Sequence, residues 1–437
     1  MKIKKIVVVF CAVLIMLTFT SCNALDMSID TLLSPPKQDG DIYPIQQALE
    51  KAVGNTITLK YPISGDYRSA FLFKDIDGDG TDEAIALYSL NTDGTVSMHI
   101  NVIDFEDGSW VSRSDVKVIG SGIEKIDFRD LNSDNIPEVI VGWMIYGTVD
   151  KQVGVYTYDG KVLNQRVLEK YTDFLCDDLS REKNDELIII NLDTTEKTST
   201  VKVITLSKSG VKEIGSAMLD GGVTSYATPI VSVLSDGTPA LYIDAIKGTG
   251  TLTEIVWFKG NILCSTYDPA LTETRLTYRP SAVYVKDMNS DGTLEIPIMT
   301  LLTSTAMKAE ADKVYVTSWC SFDGNKLNVT KNTFMNYSDG YYITIPDEMI
   351  NVIHLARKTD SRQRIFYSYD PITDMQGNEV FRIVATTKND IVSGKFDNTG
   401  YEALGELDGL VYLTRLVENN ELGITLEMLK ENFFIIK

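Results

Sequence analysis

Histidine is close to absent from this chain: His99 and His354 are the only two in 437 residues. A His-rich zinc site or a Ser-His-Asp nucleophile would have to use one of them. Each lies in a strand-like run, where a packing or surface role is expected. The patterns His-Glu-x-x-His and Gly-x-Ser-x-Gly and a phosphate-cradling glycine loop are also missing. Ser209-Gly210-Val211-Lys212 fits Ser-x-x-Lys, but it reads as a hairpin turn and its companion motifs do not occur. Positive charge is scarce, with 41 Lys and Arg against 61 Asp and Glu, a formal net charge of −20. That disfavours nucleic acid, whose binding depends on cations that neutralise phosphates, and polybasic attachment to anionic lipid. Cysteine is sparse. Apart from Cys11 and Cys22 there are Cys176, Cys264 and Cys320, an odd number in apolar, strand-like surroundings. They read as buried thiols in preference to a disulfide framework or a metal cluster. Long apolar runs are lacking too, so no stretch beyond the first 22 residues reads as a membrane span.

Those first residues are distinctive. Met1-Lys2-Ile3-Lys4-Lys5 is basic, and Ile6 to Phe19 is a 14-residue apolar run. A transmembrane helix needs ~20 residues, whereas a signal-peptide core is this short. Thr20-Ser21-Cys22 follows and resembles a bacterial lipobox, with Phe19 where that pattern prefers Leu. The resemblance implies cleavage after residue 21 and a diacylglycerol on Cys22. The expected location is therefore the cell membrane, lipid-anchored, on its extracytoplasmic face. Residues 22–43 carry Ser34-Pro35-Pro36 and Gln38-Asp39-Gly40 and read as a tether. Ile45 to Val53 has helical apolar spacing, and Thr56 to Tyr61 alternates like a strand.

From there a repeat runs down the chain. Its first copy is Asp75-Ile76-Asp77-Gly78-Asp79-Gly80-Thr81-Asp82-Glu83. The second runs from Asp130 to Glu138, with Asn132, Asp134 and Ile136 inside it, and a further copy from Asp287 to Glu295, with Asn289, Asp291 and Thr293. Oxygen-bearing side chains recur at positions 1, 3, 5 and 9. Asp178 to Glu186 is a degenerate copy, and Val231 to Gly237 keeps only the hydrophobic pattern and the turn. The starts at 75, 130, 178 and 287 are 55, 48 and 109 residues apart, a period near 50 with the third gap doubled. Short strands with turn signals such as Asp107-Gly108 and Asp159-Gly160 fill each period. Four short strands per unit at this period are a propeller signature.

These loops resemble those of FG-GAP/VCBS-repeat β-propellers, the family that includes the calcium loops of integrin α-chain propellers. The likeness spans about residues 67 to 330. It implies an all-β fold of four-stranded antiparallel blades, with the propeller over 44–340. Residues 341–437 then supply atypical final blades or a small C-terminal α+β domain. Seven blades are favoured, the last built from the Glu402–Val417 hairpin, the Phe433–Ile436 end strand and the Thr56–Tyr61 strand. The alternative is five or six blades plus the α+β domain.

Calcium takes six to eight oxygens at irregular geometry. A nine-residue turn can offer side chains from positions 1, 3 and 5, a carbonyl from 7 and a carboxylate from 9. The expected ligands are Asp75, Asp77, Asp79, Thr81 and Glu83; then Asp130, Asn132, Asp134, Ile136 and Glu138; then Asp287, Asn289, Asp291, Thr293 and Glu295. An EF-hand would need an acid at position 12, which is Ala86 here. Gly80 and Asn135 supply the positive φ that such a turn needs. The ions read as structural. Tyr341, Tyr342, Trp257 and Trp319 are expected in the blade cores, with stacking on sugars as the other possible use. The reading of the whole chain is a calcium-stabilised binding or scaffolding module at the cell envelope. It would hold the membrane through its lipid and an envelope protein or carbohydrate through the propeller. The alternatives are a propeller enzyme acting on polysaccharide or cell-wall material, and a structural subunit of an envelope complex.

Overall fold

Strands dominate, and most of them pair with a neighbour in sequence. The computed structural model describes residues 42–54, 57–92, 94–145, 150–207, 210–268, 277–358 and 362–436. The signal segment, Cys22 and nearly all of the tether lie outside the described residues. Two compact units are present: Met1–Thr172 with Leu206–Val211, and Asp173–Thr205 with Lys212–Lys437.

The first unit begins with helix α1 (Ile42–Val53), followed by β1 (Thr58–Leu59), β2 (Phe71–Lys74), β3 (Glu83–Thr92), β4 (Thr95–Glu106) and β5 (Ser109–Ile119). β3, β4 and β5 form a meander, with β1 and β2 both on the outer edge of β3. Seven successive residues of β3 are buried, which requires cover on both faces. Because strand side chains alternate, Ala84, Ala86 and Tyr88 meet Ile45 and Leu49 of α1, while Ile85 and Leu87 join the core shared with the next sheet. The small residues Ala70, Ala84 and Ala86 leave room for the helix. That next sheet is β6 (Gly122–Arg129), β7 (Glu138–Met144), β8 (Lys151–Tyr158) and β9 (Leu163–Tyr171), paired in that order. Trp143 and Tyr156 fill its centre, the indole N–H donating to the phenol oxygen at 3.0 Å.

The second unit continues the pattern. β10 (Asp173–Asp177), β11 (Glu186–Asp193), β12 (Thr198–Ser207) and β13 (Gly210–Leu219) form one sheet. β14 (Ser225–Tyr226), β15 (Ile230–Val233), β16 (Pro239–Lys247), β17 (Gly250–Lys259) and β18 (Ile262–Ser265) form the next. Then come β19 (Ile296–Leu301), β20 (Tyr315–Phe322), β21 (Leu327–Asn336) and β22 (Tyr341–Thr344). The last sheet has β23 (Ile353–Lys358), β24 (Gln363–Asp370), β25 (Met375–Thr387), helix α2 (Lys388–Val392), β26 (Glu402–Leu407) and β27 (Leu410–Leu416), with strand order β23-β24-β25-β27-β26. Helix α3 (Leu426–Glu431), capped by the Thr425 hydroxyl, leads into β28 (Phe433–Ile435).

The fold class is all-β, built of the antiparallel meander blades of a β-propeller, with six such sheets among the described residues. The seventh blade expected from the chain ends is not formed there. β28 pairs with β22, the β26–β27 hairpin pairs through β27 with β25, and β1 pairs with β3. The physical reason is packing. Phe433 of β28 sits against Tyr341 and Tyr412, at ring-centroid distances of 5.2 and 5.4 Å. A boundary at residue 340 would also cut the β21–β22 pair.

Candidate metal centre in the blade loops

Three of the repeat copies turn the chain from one strand of a sheet into the next, β2 to β3, β6 to β7 and β10 to β11. The Asp287–Glu295 copy instead leads into β19 and is closed by an isolated bridge between Lys286 and Glu295. One hydrogen-bond scheme builds all four. The Glu at position 9 is buried in every case: Glu83 and Glu295 are 0 % exposed, Glu186 1 % and Glu138 2 %. Its Oε2 accepts the backbone N–H of position 2, from Ile76 at 2.9 Å and from Leu131, Leu179 and Met288 at 2.7 Å. The Asp at position 1 accepts the N–H of position 6, from Gly80 (3.0 Å), Asn135 (2.8 Å), Lys183 (3.1 Å) and Gly292 (2.9 Å). Asp79, Asp134 and Asp291 each accept the N–H two residues on, from Thr81, Ile136 and Thr293. Positions 4 and 6 are left-handed in all four loops, as at Gly78 (φ 80°) and Gly80 (φ 91°) or Ser133 (φ 61°) and Asn135 (φ 66°). The need at position 6 was legible; the one at position 4 was not, because Ser133, Arg181 and Ser290 are not usual left-handed residues. Gly78 has a second reason to be glycine: a Cβ there would lie 2.8 Å from Ile136 Cδ1 of the second loop.

What separates the loops is the other oxygen of the position-9 Glu. In the second loop Asn132 Nδ2 donates to Glu138 Oε1, and in the degenerate loop the Ser180 hydroxyl donates to Glu186 Oε1. In the first and third full loops Glu83 Oε1 and Glu295 Oε1 are buried with no hydrogen-bond partner. Asn289, which stands where Asn132 does, donates to Asp291 instead. A buried carboxylate oxygen without a donor is costly. A cation is one way to satisfy it.

The structure brings Asp75, Asp77 and Glu83 together, with one oxygen of each within 4.8 Å of the others. Burial pushes Glu83 up to about 7, assisted by the charges of Asp77, Asp104 and Asp75. Asp77 is raised by the same two causes, burial first. The donor set is all oxygen, which suits a hard cation such as calcium or magnesium. Asp79 is not part of this close group, and among the described residues no other expected loop forms one. Glu138 is also raised to about 7, chiefly by burial.

One constellation was not legible in the sequence. Ser97 and His99 share a face of β4, and Asp115 stands on β5 opposite Asn101. His99 Nδ1 lies 2.7 Å from Asp115 Oδ2, and Ser97 Oγ lies 2.9 Å from His99 Nε2. The Tyr88 hydroxyl donates to Asp115 at 2.6 Å and Asn101 Nδ2 at 3.3 Å. Burial pushes Asp115 upward, but hydrogen bonds from His99 and Tyr88 hold its carboxyl below the usual value. The order of groups is that of a hydrolytic triad. Ser97 is only 2 % exposed, however, and leaves no room for an acyl group. The row is a polar ladder, buried at Tyr88, Ser97, His99 and Asn101 and open to solvent at Asp115, that ties β3, β4 and β5 together. His354 is likewise buried, as are Trp257, Trp319 and Tyr341, while half-buried Tyr342 stacks on Phe434 at 5.0 Å. Cys176 and Cys320 are buried and Cys264 is half-buried.

No family model and no curated protein matches the chain. Solved structures do. A rhamnogalacturonan lyase, YesW, aligns at 10 % identity and TM-score 0.31 over 74 % of this chain and 77 % of that one. The periplasmic gluconolactonase PpgL of Pseudomonas aeruginosa aligns at 10 % identity and TM-score 0.25, over 74 % of this chain and 87 % of that one. The exotype rhamnogalacturonan lyase YesX gives 11 % and 0.27, over 74 % and 69 %. Similarity this low carries nothing about activity, and the class of fold rests on the strands themselves.

Proposed function

We propose that this chain is a calcium-stabilised β-propeller module that binds an envelope protein or carbohydrate, held by a lipid on Cys22 at the outer face of the cytoplasmic membrane. The observation that carries the calcium reading is Glu83. Its carboxylate is 0 % exposed, one oxygen lacks a donor, and two further carboxylates converge on it. The residues that would hold the ion are Asp75, Asp77 and Glu83, and by the same orphaned oxygen the Asp287–Glu295 loop is the next candidate. The ion would supply positive charge and fix the turn between β2 and β3. A binding role is supported by what the reactive groups are used for: the loop acids shape turns, and Ser97 is enclosed. The lipid is supported by the basic start, the short apolar run and Thr20-Ser21-Cys22. No described helix is long and apolar enough to cross a membrane.

The test is thermal unfolding of the purified full chain in ~1 mM calcium and in chelator. If a site has the affinity of an extracellular module, Kd on the order of 10⁻⁴ M, it adds about 1.4 kcal/mol. The midpoint should then fall by roughly 3–5 °C per site on chelation. Glu83→Gln should remove the share of that shift due to the first loop. Equal midpoints with and without calcium would sink the reading.

A further inference from the structure

Within the second unit, a cavity of about 240 Å³ opens between the sheet of β19–β22 and the sheet that begins with β23 and β24. Pockets for drug-sized ligands begin at about 300 Å³, so this one takes something smaller, of the size of one sugar ring. Two of its lining residues are Arg357 and Arg364, which stand directly opposite each other across the β23–β24 pair. Like charges in that position destabilise a sheet. The arrangement is notable in a chain with a net charge of −20, in which carboxylates far outnumber guanidinium groups.

The surroundings do not cancel the pair. Arg364 is 8 % exposed and is held in place by Asn336 Oδ1 at 3.2 Å, Ser338 Oγ at 3.4 Å and the Gln363 carbonyl at 3.2 Å. Its nearest carboxylate, Asp339, is 3.9 Å away and already accepts from Arg362 Nε at 2.7 Å. Arg357 has no hydrogen-bond partner among the described residues. Partial burial and the Arg364 charge press its guanidinium below the usual value, and Asp312 is the acid that opposes them. Three guanidinium groups thus meet Asp339 and the exposed Asp312. Arg364 is fixed and Arg357 is available. Guanidinium forks match planar carboxylates with two parallel hydrogen bonds. Tyr315, Tyr337 and Phe334 add ring surface to the wall.

We infer that this cavity binds a small organic carboxylate of monosaccharide size, such as a uronic acid, with its carboxylate on Arg357 and Arg364. The inference rests on reading the chain as a binding module and names the chemistry of one ligand. Glucuronate, glucose and inorganic phosphate are titrated calorimetrically into the purified full chain and into Arg357→Gln and Arg357→Lys. Glucuronate should bind the native chain, and glucose at least ten-fold more weakly. Arg357→Gln should weaken glucuronate at least ten-fold. Arg357→Lys, which keeps the charge but loses the fork, should fall between the two. Because Arg357→Gln removes a like-charge contact, its ligand-free melting point should equal or exceed that of the native chain, so weakened binding cannot be laid to unfolding. Glucuronate that does not bind, binds Arg357→Gln within two-fold of the native chain, or binds no better than glucose overturns the assignment. Phosphate bound more tightly than glucuronate overturns the choice of carboxylate. None of these outcomes alters calcium-dependent melting, so failure here and failure of the calcium reading are distinguishable.

Discussion

At the residue scale the informative group is Glu83, because one carboxylate is asked to do two things. Oε2 closes the turn on Ile76 N–H, Oε1 is left without a hydrogen-bond partner, and the carboxylates of Asp75 and Asp77 converge on the group. Burial and those charges raise its folded-state value to about 7 from an ordinary 4.5. A raised carboxyl stabilises the fold when protonated. That contribution is complete below about 4.5 and is lost as pH rises through about 7. In chelator the native chain should therefore melt at progressively lower temperature from pH 5 to pH 8. Calcium held as proposed would compete with the proton for this carboxylate, so the calcium-induced rise should be larger at pH 8 than at pH 6. In Glu83→Gln both pH trends should be shallower. A calcium effect of equal size across that range would refute the link. Part of this was legible: the spacing of Asp75, Asp77 and Glu83 identified the oxygens. What the spacing could not show is which Glu is already satisfied. Asn132 and Asn289 occupy the same repeat position, yet one donates to its Glu and the other to Asp291.

At the element scale, the recurring loops marked where the long inner strands β3, β7 and β11, and the edge strand β19, begin, because the local chemistry of the turn is written in nine consecutive residues. Pairings between distant segments were not so written. Leu410–Leu416 could be recognised as half of a hairpin, but its register on β25 depends on a partner some thirty residues away. The Ser97–His99–Asp115 ladder was hidden for the same reason, since Asp115 reaches His99 only through the β4–β5 register. Helix α1 offers a clean test of element packing. Its apolar face is legible from spacing, but the landing site on Ala70, Ala84 and Ala86 is not. Leu49 is 0 % exposed against that alanine-lined face. Leu49→Ala should cost about 2–5 kcal/mol, read by denaturant unfolding. A loss under 1 kcal/mol would mean that the helix does not support the first sheet.

At the scale of the whole molecule, charge and attachment belong together. A chain of net charge −20 is repelled by anionic lipid headgroups, so stable association with a membrane needs a hydrophobic hold. Among the described residues no helix provides one. Cys22 is the residue proposed to do so. A single acyl chain gives only marginal anchoring, whereas two or more chains hold stably, and a diacylglycerol brings two. Cys22→Ser should therefore move the protein from the membrane fraction to the soluble fraction, with its melting point and calcium response unchanged, because Cys22 lies in the stretch whose sequence reads as a tether, ahead of helix α1 and the loops that would hold calcium. Salt separates the competing cause. Electrostatic attachment weakens as ionic strength rises, while a lipid anchor resists it. Retention of Cys22→Ser in the membrane fraction at high salt would mean that the apolar run Ile6–Phe19, or a partner already in the membrane, supplies the hold in place of the lipid.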